Sequence, residues 1–408
     1  MPDLLSPSAR RIVAGLPVFD AHADSLQRAL DLGHDLGRAT PGHFDLERGR
    51  RGGLGALVFV AWVDPSYIAP ERGGARRRTE ALLAEFHRLI ERHPDAVRWA
   101  GNGAMLDAAR EARCLAGIPG IEGGHSIEGR IEVLEAFFER GVRVMTLVWN
   151  NHLAWIRSCQ PGAGPEVPAG LSDFGREVVR TMNALGMVVD VSHAGVRSFH
   201  DVLATSSKPV IASHSGCMAQ SEHPRNLTDD QLRALRDTGG VVGIVFCTPF
   251  LDAAARAEET RLRESEAYRA LTGENATALF CAQAAFLQRE ARPLPIARVL
   301  EHIVHAVDVC GVDHVGLGSD YDGIQRTPQG LEDASCYGNL AEGLLARGFA
   351  EADVVKILGG NMERVFRAAT GPGTRAFQYG PATNSSQLGF GPRSSALERR
   401  RAGAEPEL

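Results

Sequence analysis

The sequence predicts an α/β protein built as one (β/α)₈ TIM barrel, and three observations lead there. Eight short apolar runs recur along the chain, amphipathic stretches separate them, and histidines and acidic residues gather at the ends of the runs. The runs are VFDAHAD (18–24), LGALVFVAWV (54–63), LAGIPGIEGG (115–124), VRVMTLVW (142–149), MVVDVSH (187–193), PVIASHSG (209–216), VVGIVF (241–246) and HVGLGSDYDG (314–323). They are rich in Val, Ile and Leu and lack strict alternation, the pattern of strands buried on both faces. Candidate helices occupy 77–92, 131–140, 172–185, 228–237 and 296–309, with Ser172 and Thr228 at N-cap positions. Eight strands alternating with helices point to a closed parallel barrel; a doubly wound open sheet is the alternative.

The 408 residues suit a barrel with insertions. The expected organisation is a barrel over 1–370, with an Ala/Glu/Arg-rich helical insertion at 250–295 before the last strand, at the rim where it can cover a site. Residues 371–408, rich in Gly, Ser, Pro and Arg, read as a disordered tail. The apolar fraction of 44% and charged fraction of 23% allow a large core.

A net charge of −6 argues against nucleic-acid binding, and the basic run Arg76–Arg78 reads as solvated helix surface. The seven cysteines (114, 159, 217, 247, 281, 310 and 336) are scattered and form no CxxC pair. That disfavours a disulfide scaffold or a thiolate metal site and fits a reducing compartment. The N-terminus lacks the apolar core of a signal peptide, and no stretch reaches the ~18 apolar residues of a membrane span. A cytoplasmic protein without membrane association is expected.

The chemistry lies at the run ends. His22 and Asp24 close the first run, Glu122 the third, His193 the fifth, His214 the sixth and Asp320 the eighth. In a parallel barrel the C-terminal strand ends converge on one face, where active sites form. Strand alternation would send His22 and Asp24 into the mouth, with Ala21 and Ala23 outward. Glu122, flanked by glycine on its C-terminal side, can approach cations closely and bridge two of them; His125 is expected to orient it. Neutral imidazoles of His193 and His214 suit zinc and related ions. A lone strand-end histidine is usually a satisfied core residue, but five such residues on one face make separate structural explanations jointly improbable. Two metals about 3.5–4 Å apart would polarise a carbonyl and hold a bridging hydroxide. Asp320 is the candidate general acid/base, taking the water's proton and returning it to the leaving amine; Asp322 is its competitor, placed at the turn.

These residues carry a family resemblance. FDAHADSL, FDLERGRRGGLGALVF, GIEGGHSIEG, GLSDFGREVVRTMNALGMVVDVSHAG, PVIASHSG, HPRNLTDDQL, GLGSDYDG, PQGLEDASCYGNL and GGNMERVF, spread over residues 18–366, resemble the membrane (renal) dipeptidases of the metal-dependent amidohydrolase superfamily. The resemblance implies two zinc ions, one on His22 and Asp24, the other on His193 and His214, with Glu122 bridging. It implies that Arg225, in HPRN, pairs with the C-terminal carboxylate of a dipeptide, which can carry a D-residue there. Tyr321, beside Asp320, is a further candidate for substrate binding. The chain departs from the family at Trp149, which stands where many members carry an oxyanion-stabilising His. His152, Asn150 or Asn151 are the candidates to replace it, with His152 a surface residue otherwise. A homodimer is the family-level expectation. The same metals and Asp320 would also serve an N-acyl amino acid, a cyclic amide or a lactone; a non-catalytic metal-binding barrel is the remaining alternative.

Overall fold

A computed structural model describes residues 5–372. The expected tail, 371–408, lies outside the described residues but for its first two positions. Nine strands form one parallel sheet: β1 (Val18–Ala23), β2 (Leu54–Trp62), β3 (Val97–Trp99), β4 (Leu115–Glu122), β5 (Val144–Thr146), β6 (Val188–Asp190), β7 (Ile211–Ser215), β8 (Val241–Ile244) and β9 (Val315–Leu317). β2 pairs with β1 and with β4, which closes eight of them into a barrel in the order β1–β2–β4–β5–β6–β7–β8–β9. These eight are the predicted runs, so the closed barrel holds and the open sheet does not. β3 was not foreseen. It is three residues long, carries an exposed Arg98, and pairs only with the first residues of β4.

The connecting helices form where the sequence supplies caps. Ser172 accepts from the Gly175 N–H at 3.2 Å and opens the helix Asp173–Leu185. Thr228 and Gln231 form a reciprocal capping box at the head of Asp229–Asp237. Two apolar layers result. Phe59 of β2 faces outward, its ring 5.4 Å from Phe86 on the helix Ala75–Arg92. Ala56, Val58 and Val60 of the same strand face inward, in a cluster with Ile118, Val144, Val188, Ile211 and Val241. Met362 and Phe366, on the closing helix Asn361–Thr370, join that cluster from the N-terminal ends of the strands. The opposite end stays open to the polar residues.

Strict alternation fails in β1. Its register with β2 slips between Asp20 and Ala23, and Ala21 packs into the barrel interior while Ala23 joins the outer layer. The expectation that both alanines face outward is therefore corrected: an irregularity shifts parity by one residue.

The insertion is helical, as expected, with helices Ala253–Glu264, Glu266–Arg269 and Ala276–Glu290 around a small core of Tyr268, Phe286 and Leu287. It is fastened to the loop after β9. Arg326 and Glu259, 2% and 3% exposed, pair at 3.0 Å, and Arg326 also donates to the Arg292 carbonyl at 2.6 Å. Thr277 donates to Asp31 at 2.6 Å, tying the third insertion helix to the segment after β1. Glu259→Ala leaves the Arg326 cation buried without its partner, which costs about 3–5 kcal/mol. Limited proteolysis of that variant is expected to cut within 252–292 at a denaturant concentration where the parent chain resists.

Candidate metal centre and active site

Five strand ends, those of β1, β4, β6, β7 and β9, deliver six acidic residues and histidines to the open mouth. Four polar residues inside the apolar runs hold those ends in place. Asp20, fully buried, accepts from the backbone N–H groups of His22 at 3.1 Å and of Ser319 at 2.9 Å, and from the hydroxyl of Tyr337. Asp190 repeats the device across the barrel: it accepts from Ser192 N–H at 2.9 Å and Ser213 N–H at 2.8 Å. Each carboxylate thus stitches its own strand end to a neighbour and satisfies backbone donors that the sheet leaves open. Ser192 and Ser213 complete the set.

The histidines converge on Glu122. His193 Nε2 lies 2.9 Å and His214 Nε2 3.4 Å from Glu122 Oε1; His22 Nε2 lies 3.6 Å from Oε2. His22 Nε2 is also 3.5 Å from Asp24 Oδ2 and 4.0 Å from Asp320 Oδ1. Three sets of potential ligand atoms each fall within 4.8 Å of one another: His22, Asp24 and Glu122; Glu122, His193 and His214; His22, His214 and Asp320. The first two share Glu122, whose Oε2 lies toward His22 and whose Oε1 lies toward His193 and His214.

The partners of the far ring nitrogens fix the tautomers. Asn150 Oδ1 accepts from His193 Nδ1 at 2.9 Å. Ser213 donates to Asp190 Oδ2 at 2.6 Å, so its oxygen accepts from His214 Nδ1 at 2.8 Å; His22 Nδ1 stands 3.4 Å from the same oxygen. Both Nε2 lone pairs, 3.1 Å apart, therefore face each other and the Glu122 carboxylate. Acceptors confronting acceptors in a buried site call for a cation between them. His22 Nε2 and Asp24 Oδ1, buried without a hydrogen-bond partner, point to the same need. The donor set, imidazole and carboxylate, fits zinc or a similar divalent ion.

Charge is distributed accordingly. Burial pushes His193 down to about 4, aided by Arg225, and burial with His22 and Arg225 takes His214 well below the usual range, so both stay neutral. Burial also opposes a charge on His22, but Glu122 and Asp24 outweigh it and raise its pKa well above 6.5. Burial, reinforced by Asp24 and Glu122 and only partly offset by His22, lifts Asp320 well above the carboxylate range.

Backbone geometry is unusual at the same residues. His193 has φ 66° and Asp320 φ 62°, left-handed conformations that non-glycine residues adopt at a cost and that cluster at functional sites. Gly323 permits the approach of the two acids: a Cβ there would stand 2.2 Å from Asp24 Oδ2 and 2.5 Å from Asp320 Oδ1.

Arg225 is 3% exposed. Its Nη2 donates to the His214 carbonyl at 2.9 Å, its Nε lacks a partner, and no carboxylate pairs with it among the described residues. A buried cation without an anion is poised to receive one.

Other expectations are met differently. Tyr321 is 1% exposed, and its hydroxyl donates to the Leu331 and Asp333 carbonyls, both at 3.0 Å. It faces away from the mouth and serves the site through its carbonyl, which accepts from Asp24 N–H at 2.8 Å. His125 bonds the Val63 carbonyl at 2.8 Å rather than Glu122. His152 is engaged within its own loop, by Ser158 N–H at 3.2 Å and the Pro161 carbonyl at 3.4 Å. Asp322 is held at the turn by Arg28 at 2.7 Å and by His43 N–H at 2.8 Å. Asn150 is spent on His193, whereas both amide atoms of Asn151 are buried without partners. Ser213, Asp190 and Asp20 were not singled out from the sequence. The signal for the two acids was a charge inside an apolar run.

Known proteins place the whole in context. A sequence profile of the membrane dipeptidase family, peptidase family M19, matches residues 7–376. A dipeptidase described as a metallopeptidase of family M19 is 26% identical over 87% of this chain and 99% of its own, with a TM-score of 0.71. A metallopeptidase from Rhodobacter sphaeroides, solved with a phosphinate mimic of the dipeptide L-Ala-D-Ala, is 25% identical over 86% of this chain and 99% of its own, with a TM-score of 0.70. A probable dipeptidase from Pseudomonas aeruginosa shares the fold, with 23% identity, 89% and 97% coverage and a TM-score of 0.76. With a profile match over residues 7–376, the chain belongs to the membrane dipeptidase family.

Proposed function

We propose that the protein is a dipeptidase working with two zinc ions. One is held by His22 and Asp24, the other by His193 and His214, and Glu122 binds both. The observation that carries this reading is the pair of ligand triplets sharing Glu122, with the Nε2 lone pairs turned toward its oxygens. Cations bound there supply polarisation of the scissile carbonyl and a lower pKa for the attacking water.

The remaining work falls to side chains. Arg225 receives the substrate's C-terminal carboxylate on its unpartnered guanidinium edge. Asp320, beside His22 and Asp24, accepts the proton from the attacking water on a carboxylate oxygen and delivers it to the nitrogen of the leaving amine. A carboxyl whose burial favours the protonated form suits the second half of that transfer. A C-terminal D-residue is compatible with a site that grips the carboxylate; the relative from Rhodobacter sphaeroides accommodates an L-Ala-D-Ala mimic. All seven cysteines are unpaired, which fits a cytoplasmic setting, and no helix among the described residues is long and apolar enough to cross a membrane.

Zinc-loaded protein is expected to release free amino acids from L,L and L,D dipeptides. Activity is lost on chelation and regained with zinc, and the N-acetylated dipeptide is a poor substrate. Asp320→Asn is expected to lower kcat by about 10²–10⁴-fold with zinc still bound. Unimpaired turnover in that variant contradicts the acid/base role.

Ser213→Ala removes the hydroxyl that orients His214 and lies against His22. Chelator competition is expected to show zinc affinity falling about 10–100-fold, with Ser213→Thr restoring most of it.

A further inference from the structure

Two tryptophans stand in the mouth with no part in the chemistry described so far. Trp62 ends β2, packs against the barrel-interior cluster, and is in register with Glu122 of β4. Trp149 follows β5, whose Thr146 is in register with Glu122 on the other flank. The two rings meet edge to face, centroids 5.1 Å apart at 61°, and the Trp149 ring lies 6.1 Å from that of His193. Both are partly exposed, whereas Trp99 and Trp155 are buried. The pair forms an aromatic wall above the central carboxylate, on the β2–β4–β5 side.

Arg225 lies across the mouth. It follows β7, sits over the Phe250 ring at 5.5 Å, and its charge acts on His193, His214 and Asp320. A dipeptide with its carboxylate on Arg225 and its scissile carbonyl over Glu122 directs its N-terminal residue away from Arg225. The aromatic wall lies there. Aromatic faces reward apolar contact area and offer a polar side chain little in exchange for its water.

We infer that Trp62 and Trp149 form the pocket for the side chain N-terminal to the scissile bond, and that the enzyme prefers dipeptides with a large apolar or aromatic residue there. The inference rests on the dipeptidase reading. It assigns the pair a role in specificity.

Two dipeptide series, X-Gly and Gly-X with X = Ala, Leu or Phe, test it on the zinc-loaded full chain. The kcat/KM for Phe-Gly is expected to exceed that for Ala-Gly by about 10-fold or more, with a much smaller spread in the Gly-X series. Trp149→Ala is expected to collapse the Phe-Gly to Ala-Gly ratio mainly through KM, and Trp149→Phe to keep most of it. Trp149→Leu is the alternative should the alanine variant fold poorly. A ratio near one in the parent enzyme, a ratio unchanged in Trp149→Ala and Trp149→Leu, or a preference confined to the Gly-X series overturns the inference and leaves the dipeptidase reading standing. Absence of hydrolysis of every dipeptide overturns both.

Discussion

The Glu122 carboxylate, ringed by three imidazole nitrogens, is the constraint on which the rest of the site depends. His193 and His214 direct lone pairs at one oxygen, and His22 stands at the other. Burial strips the water that would otherwise separate these groups. Without a cation, the cluster relies on a proton at His22 to balance Glu122. A cation held among these groups would replace that proton and satisfy the opposed acceptors at once. The electrostatic arrangement is thus built for cations before any substrate arrives.

Holding such a cluster together demands rigidity from the strand ends, and the barrel supplies it with buried acids. Asp20 ties β1 to the end of β9, and Asp190 ties β6 to β7. Ser213 joins the second of these stitches to the ring of His214. The left-handed backbone at His193 and Asp320 is tolerated because hydrogen bonds on both sides over-determine it, among them Asp320 N–H to the His22 carbonyl at 3.0 Å. Fold and site are in this sense one network, with the apolar interior below it closed by Met362 and Phe366.

Much of this was legible in the sequence, for a physical reason. Strands buried on both faces leave nearly unbroken apolar runs, so a histidine or acid at the end of a run stands out, and parallel topology sends all such ends to one side. His22, Asp24, Glu122, His193, His214 and Asp320 were singled out that way, and the fold brings them together. What stayed hidden depends on tertiary facing. Tyr321 is adjacent in sequence to Asp320 but turns outward, because the loop after β9 turns through residues of positive φ at Asp320 and Asp322. Ala21 was misjudged because the irregularity in β1 resets alternation. His125 and His152 read as candidates by residue type alone; only the loop conformations reveal that backbone groups already occupy them. β3 is too short for any periodicity to report it.

The central claim is that Glu122 joins two cation positions. Calorimetric titration of metal-free protein with zinc at neutral pH, repeated on Glu122→Ala, tests it most directly. Two ions per chain in the parent, with both affinities weakened by the one substitution, is the result this account predicts. A single ion, or two ions of which one keeps its affinity when Glu122 is removed, would contradict it.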